Sequence, residues 1–392
     1  MISEELISWA NKSIELQQDN HQISGKQLSS LSIVIPTFCR KEYIVRQIAY
    51  WASSGASVFI MDGSPQPIDG SIKLLISKFS NINYFHMKIS YVDRIRKACE
   101  YIDTDYAICL ADDDLYLKEG LCDAIDFLNN KESPIACISM PLGVDYHIQN
   151  KQTVFFPYGD SLENYEVTDS SAINRIEYAM SGYRTATSYG LFRATEFKVI
   201  WSELQSSSCL EATEYEHAIS TYIFGKLENC KSLYWLRSHE CEPVDSEIDG
   251  SRRTTFDLWC NDPNFDEEYS LFIERLNKRI LKNIKIDGNT AQKVVNKSVL
   301  LLNGRHEGLM NDSASLKFAQ FILNILVFIP FIKRIVTYLR LTKFGIKIRS
   351  FIRFIVRRGR SSQRASFDLL VKKNDKALKD MTLFVNKFHS LK

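Results

Sequence analysis

Tyr106-Ala-Ile-Cys-Leu-Ala-Asp-Asp-Asp-Leu115 sets a short apolar run directly against three consecutive acids. An apolar run of this length, bounded by polar residues, reads as a strand buried on both faces, the usual condition of a parallel sheet. Two upstream runs repeat the pattern. Leu31-Ser-Ile-Val-Ile-Pro36 ends in proline, and Val58-Phe-Ile-Met-Asp62 ends in Gly63-Ser64-Pro65, a turn signal. Residues 43–52, 72–79 and 91–101 read as helices, and residues 83–86 as a brief strand. The resulting β-α-β-α-β-α-β alternation predicts an α/β fold with helices on both faces of a mostly parallel sheet. Ligands of such sheets gather beyond the carboxyl ends of the strands. Asp62 and the triplet Asp112, Asp113 and Asp114 stand at those ends.

Three successive carboxylates repel one another and cost stability unless a cation offsets them. In extended backbone, alternate residues point the same way, so Asp112 and Asp114 are expected to face one pocket and Asp113 to turn aside. Hard oxygen ligands of this kind suit Mg2+ or Mn2+ completed by substrate phosphates. The competing reading is an acidic, solvated helix start. Arg94, in the first turn of the 91–101 helix, is placed to face phosphates, or else is a surface arginine.

The motifs Leu31-Ser-Ile-Val-Ile-Pro-Thr-Phe-Cys-Arg40, Phe59-Ile-Met-Asp-Gly-Ser64 and Ala111-Asp-Asp-Asp-Leu115 together resemble an inverting GT-A glycosyltransferase of the family 2 type. The closer likeness is to the branch with DGS and DDD found among bacterial surface-polysaccharide sugar transferases. It covers about residues 30–240, and Cys39 stands where many members have Asn. The resemblance implies a Rossmann-like GT-A catalytic domain over 31–262, after an N-terminal helix in 1–30 and before a helical extension over 263–315. It implies donor contacts from Pro36, Thr37, Arg40, Asp62, Arg94, Asp112 and Asp113, and a Mn2+ or Mg2+ ion on Asp112, Asp114 and His239. It also implies that the loop Tyr189-Gly-Leu-Phe-Arg193 meets acceptor and donor, with Tyr189 and Gly190 on the acceptor side. A general base is expected at a helix N-terminus in Thr213-Glu-Tyr-Glu216. Glu214 takes that role, with Glu211 and Glu216 as alternates. The implied reaction is inverting, metal-dependent sugar transfer from a sugar nucleotide to a hydroxyl of a glycan or lipid-linked acceptor, in capsule or lipopolysaccharide synthesis.

Composition narrows the alternatives. Nine cysteines occur without a single CxxC pair, which indicates neither a zinc knuckle nor a disulfide framework and suits a cytoplasmic setting. The N-terminus carries acids where a signal peptide needs bases. Net charge is only +2, yet from Ser313 to Phe367 there is no acid and there are twelve Lys and Arg. Residues 318–332 are uncharged but short of the ~20 that span hydrocarbon. Residues 316–364, within a basic tail taken as 316–392, are therefore expected to lie amphipathically on an anionic membrane, at the inner face of the cytoplasmic membrane. A core-packed helix pair is the competing reading of that tail. No nucleic-acid fold accompanies the basic run, so nucleic acid is not an expected partner. A sugar-nucleotide pyrophosphorylase would need a Gly-rich loop after the first strand, and Pro36-Thr-Phe-Cys-Arg40 has no Gly. A non-catalytic membrane scaffold is the remaining alternative.

Overall fold

The computed structural model describes residues 2–18, 27–158, 162–184, 187–240, 255–311 and 361–392, with backbone alone at 164, 303–311 and 361–366. Strands β1 (Leu31–Thr37), β2 (Ser57–Asp62), β3 (Ile82–His86) and β4 (Tyr106–Cys109) pair in parallel, in the spatial order 3-2-1-4. Their residues are largely buried, because helices α2 (Lys41–Trp51), α3 (Gly70–Ile76) and α4 (Tyr91–Cys99) cross over between them. The register sets Thr37 beside Asp62 and Asp62 beside His86, so the carboxyl ends of three strands finish in one row. Helix α5 (Lys118–Asn129) leads to β6 (Pro134–Ile138), and α6 (Ala172–Ser181) precedes the short β9 (Leu191–Arg193). Strand β9 runs antiparallel between β4 and β6. After α7 (Ala194–Glu203) and α8 (Leu210–Phe224), β10 (Lys226–Asn229) joins β6 in parallel and completes a seven-stranded sheet, β10-β6-β9-β4-β1-β2-β3. This is the expected mixed α/β, mostly parallel architecture.

A second sheet is not foreshadowed by the apolar runs. Strands β5 (Leu115–Tyr116), β7 (Leu142–His147), β8 (Gln152–Pro157) and β11 (Trp235–Ser238) form it in the order β5-β11-β7-β8. It begins immediately after the aspartate triplet, so the triplet turns the corner between the two sheets. A 3-10 turn over Thr187–Tyr189 leads into β9. Phe256–Asn261 forms helix α9, and residues 241–254 lie outside the described residues. Helix α1 (Glu4–Gln18) packs on the body through Leu6, Trp9, Ala10 and Ile14. Helices α10 (Asp266–Asn283) and α11 (Gly288–Asn311) make the expected helical extension.

The tail expected over 316–392 is corrected at its end. Residues 361–391 form α12 (Ser361–Lys373) and α13 (Asp375–Leu391), which cover the smaller sheet. Leu370, Leu378, Met381 and Val385 pack with Leu115, Leu117, Leu142, Val144, Leu233 and Leu236. Each such side chain contributes about 1.5–3 kcal/mol on burial, so α13 is core rather than appendage. The amphipathic membrane segment expected at 316–364 falls almost wholly in 312–360, outside the described residues. Among the described residues no helix is long and apolar enough to cross a membrane.

Candidate functional site

The strand ends are stapled to one another before any ligand arrives. Thr37, last in β1, donates its hydroxyl to Asp112 Oδ2 at 2.7 Å, and Arg40 Nη1 reaches Asp112 Oδ1 at 3.0 Å and Asp113 Oδ2 at 3.4 Å. Asp62 Oδ1 accepts from the Ser64 amide at 2.9 Å and from the Ser64 hydroxyl, and Oδ2 accepts from Tyr84 at 2.7 Å. Ser64 Oγ in turn accepts from the Cys39 amide at 2.8 Å. Cys39 sits at φ 56°, in the left-handed region. Few residues other than glycine and asparagine enter that region readily, so the bond that the Cys39 amide donates to the Ser64 hydroxyl helps hold the turn.

Arg94 is not the surface arginine of the competing reading. Its Nη1 donates to the carbonyls of Thr37 (2.5 Å) and Met61 (2.7 Å) from beneath Gly63. A Cβ on Gly63 would stand 2.7 Å from Arg94 Cζ, so this guanidinium is seated only because position 63 has no side chain. Burial lowers the Arg94 pKa, while the charges of Asp62 and Asp112 hold it up. Among the described residues no carboxylate forms an ion pair with this guanidinium, whose two backbone bonds hold positive charge beneath the strand ends. Pro36 stays partly buried in β1, opposite Met61, and shapes the strand end.

Asp112 and Asp114 do not share a pocket as the alternation predicts. Asp114 Oδ2 accepts from Trp235 Nε1 (2.8 Å) and Arg237 Nη1 (3.1 Å), and Oδ1 accepts from the Ser238 amide (2.8 Å). The turn at Asp114, whose amide bonds the Ala111 carbonyl at 3.0 Å, breaks the extended backbone on which the expectation rested. Burial and the charge of Asp113 raise the Asp112 pKa to about 6 against the pull of Arg40. Burial also raises Asp114, with Arg237 opposing it. Asp113, expected to turn aside, is the least buried of the three and faces Arg40.

The expected divalent ion can be tested against this donor set. Both oxygens of Asp112 and both of Asp114 already meet protein donors, and an arginine stands against each. His239 does not join them: its ring packs edge-on against Phe156 (5.2 Å) and Tyr158 (5.8 Å), and its amide bonds the Val144 carbonyl. Among the described residues no three His, Cys, Asp or Glu side chains group as a metal would require. As arranged, Asp112, Asp114 and His239 do not fit the ion. Holding one would require Arg237 to leave Asp114.

Against Asp114 lies a group of aromatic side chains. Tyr189 stacks on Trp235 with centroids 4.3 Å apart, Arg237 Nη1 donates to the Tyr189 hydroxyl at 3.2 Å, and Tyr158 meets Trp235 edge-on at 5.6 Å. Gly190 brings backbone close here, because a Cβ would lie 3.2 Å from the Thr187 carbonyl and 3.3 Å from that of Cys137. Arg193, the basic residue of the same loop, is corrected: it binds the carbonyls of Leu128, Lys131 and Pro134 on the far side of the sheet.

The three glutamates of α8 separate cleanly. Helix α8 begins at Leu210, so Glu214 stands one turn in rather than at the N-terminus as expected. Burial raises the phenols of Tyr91, Tyr158 and Tyr189, and the Glu214 charge adds to all three shifts. The Glu214 charge is thus felt by Tyr91, Tyr158 and Tyr189 together. Glu211 instead accepts the Phe256 amide at 2.8 Å and starts α9. Glu216 is buried in ion pairs with Arg275 (3.1 Å) and Arg279 (3.0 Å) and fastens α10 to the body.

Sequence reasoning missed the residues that fix the triplet's backbone. Gln47 Nε2 donates to the carbonyls of Asp112 and Asp114, both at 2.8 Å, and Arg46 Nη2 donates to that of Asp113 at 2.6 Å. Their one local signal is that two polar residues interrupt the buried face of α2 between Val45 and Ile48. Trp235 and Arg237 were also missed, since they contact Asp114 from a strand whose register no motif announces.

No protein family and no curated protein sequence matches this chain. Solved structures that resemble it include S. aureus TarS 1–349 in complex with UDP-GlcNAc, at 14% identity over 71% of this chain and 92% of that one, with a TM-score of 0.43. The same TarS fragment with UDP is 15% identical over 71% and 91%, with a TM-score of 0.40. In a further crystal structure of S. aureus TarS, at 15% identity and a TM-score of 0.40, the match covers 70% of this chain and 54% of that one.

Proposed function

We propose that this chain is an inverting glycosyltransferase that moves a sugar from a nucleoside diphosphate to an acceptor hydroxyl. The observation that carries the reading is the convergence at the carboxyl ends of β1, β2 and β4. There Asp62, the aspartate triplet and the buried Arg40 and Arg94 gather, Trp235 and Arg237 join Tyr189 to Asp114, and the Glu214 charge acts on Tyr158 and Tyr189. Asp62 and Tyr84 offer acceptor and donor groups for a base, and Arg40 and Arg94 bring positive charge toward a diphosphate. Tyr189 and Tyr158 present ring faces and hydroxyls suited to sugar.

In the reaction, the acceptor oxygen forms a bond to the anomeric carbon as the bond from that carbon to the diphosphate oxygen breaks. The electron pair leaves with the diphosphate, and the acceptor proton passes to the Glu214 carboxylate. One displacement of this kind inverts the anomeric centre; a double displacement would need a second carboxylate as nucleophile. General-base help is worth about 10²–10⁴-fold. Arg237, paired with Asp114, would offset negative charge growing on the leaving group. Arg40 and Arg237 supply positive charge at Asp112 and Asp114, where Mn2+ or Mg2+ would otherwise be held. The acceptor in this reading is a hydroxyl of a glycan or lipid-linked glycan of the capsule or lipopolysaccharide kind. Residues 316–364 would keep the enzyme at the inner face of the cytoplasmic membrane, where such acceptors sit.

The test is a screen of sugar nucleotides for nucleoside diphosphate release, with and without Mn2+ and with chelator. Release from one donor, lost in E214Q, is the expected result. Absence of release and of nucleoside diphosphate binding under every condition would overturn the proposal, and a strict requirement for Mn2+ would overturn its charge arrangement alone.

A further inference from the structure

Away from the strand ends, the most unusual cluster is a chain of polar side chains that runs from the end of α13 to the aspartate triplet. His389 Nε2 lies 3.3 Å from Glu240 Oε1, and Glu240 Oε2 lies 2.6 Å from Arg46 Nη1. Arg46 Nη2 then donates to the Asp113 carbonyl at 2.6 Å. Arg46 and Glu240 are sealed from solvent, at 0% and 1% side-chain exposure. The helix that brings His389 is itself pinned from several sides. The His389 ring stacks on Tyr146 at 4.2 Å, Asn386 accepts the Thr153 amide and hydroxyl at 2.8 Å each, and Phe388 packs on Tyr43 and Trp9.

We propose that Arg46, Glu240 and His389 are positioning residues through which the docked helix α13 sets the geometry of the aspartate triplet, and hence donor binding. A guanidinium has five donors in a planar fork and no freedom to discharge. Arg46 splits that fork between a carboxylate and a backbone carbonyl, and the cation-π faces of Tyr43 (4.5 Å) and Phe388 (5.0 Å) hold it in plane. Glu240 therefore fixes the direction in which Arg46 aims its second nitrogen, while α13 closes over the pair with the Phe388 ring on Arg46 and the His389 ring 3.3 Å from Glu240 Oε1. Beside it, Gln47 holds the flanking carbonyls, so the Asp112, Asp113 and Asp114 carbonyls are all gripped from α2. A purely structural ion pair would have no reason to spend one arm of its arginine on the turn that carries the donor-side carboxylates. The inference deepens the glycosyl-transfer reading and rests on it for its consequence, donor binding. Its geometric content, the order of the turn, stands apart from activity.

Two variants test it in the full chain. H389Q cuts the link at its outer end with little loss of packing. R46M/E240Q removes the guanidinium without leaving a buried charge unpaired, the condition that makes single removals so costly. The readouts are amide hydrogen exchange of residues 110–117 against residues 31–37, melting temperature, and titration with UDP and with GDP. Expected in both variants is faster exchange at 110–117, by about tenfold, with β1 unchanged and the melting temperature nearly kept. Nucleoside diphosphate affinity should fall by about the same factor, with KM for the donor rising more than turnover falls. Wild-type exchange at 110–117 in both variants, or a rise spread evenly over the molecule, would overturn the proposal. If the wild-type chain binds neither nucleotide, the functional reading fails while the exchange data still decide the relay.

Discussion

Three glutamates on one helix make the sharpest test of the site, because two hold structure together and the third is the base of the proposed reaction. E214Q keeps the size of the side chain but removes the carboxylate proposed to take the acceptor proton. Turnover should fall about 10²–10⁴-fold, with donor KM within a few fold and stability nearly unchanged. E216Q should do the reverse. Glu216 is 1% exposed and holds Arg275 and Arg279, so neutralising it leaves two guanidinium groups short of their partner. Breaking a buried pair in this way costs about 3–5 kcal/mol, visible as a large drop in the urea midpoint, with turnover per folded molecule preserved. E211A loses one charge-assisted bond to the Phe256 amide, worth about 1.5–3 kcal/mol, and should loosen α9 first. Steady-state kinetics and urea unfolding on the same three preparations decide the matter. Severe loss of turnover in E211A or in folded E216Q, beside a mild E214Q, would refute the assignment of the base.

Two further outcomes follow from buried groups. His217 is fully buried between Phe192 (5.7 Å) and Trp201 (4.8 Å), and burial, then the Arg279 charge, push its pKa down to about 3. The unfolded chain takes up a proton near pH 6.5 that the folded one refuses, so stability should fall as pH drops through 6.5 toward 3, by about 1.4 kcal/mol per unit. Urea unfolding at pH 6.5 and 4.5 should show this slope in the difference between wild type and H217L, where other titrating groups such as Asp112 cancel; equal slopes would mean the ring is charged in the fold. G63A should drive Arg94 from its seat, since the new Cβ would lie 2.7 Å from Cζ. Nucleoside diphosphate affinity measured by calorimetry should weaken about tenfold with the melting temperature nearly unchanged, and unchanged affinity would show that Arg94 does not serve the donor.

How much of this was legible follows from what local sequence can encode. The four parallel strands were readable because each is an apolar run buried on both faces, and their ends carry the acids. Asp62 and the triplet could be placed at the strand ends for the same reason. The smaller sheet was not readable, because β5 is two residues long and β11 is four, too short to show a period. The wrong expectation for Asp112 and Asp114 came from assuming extended backbone across a turn. The tail was misjudged at its far end because α12 and α13 follow a long basic stretch and share its helical patterning. Their partners, Leu115, Leu142 and Leu236, are distant in sequence, and no local pattern reports such a pairing. Arg46 escaped notice because it looks like an interruption of an apolar face.

The clasp between α13 and the aspartate turn also bears on how the chain comes into being. Residue 113 leaves the ribosome roughly 270 residues before His389, and at ordinary elongation rates that delay lasts about 15–50 s. During it, a nascent chain can carry every recognisable motif of the catalytic half and still lack the prop for its acidic corner. Arg46 would meanwhile have no settled counter-ion, and the Leu115, Leu142 and Leu236 face would be bare. Contacts of such long sequence separation form late and slowly. A chain cut short anywhere before α13 is thus expected to be a sticky, inactive protein rather than a smaller enzyme.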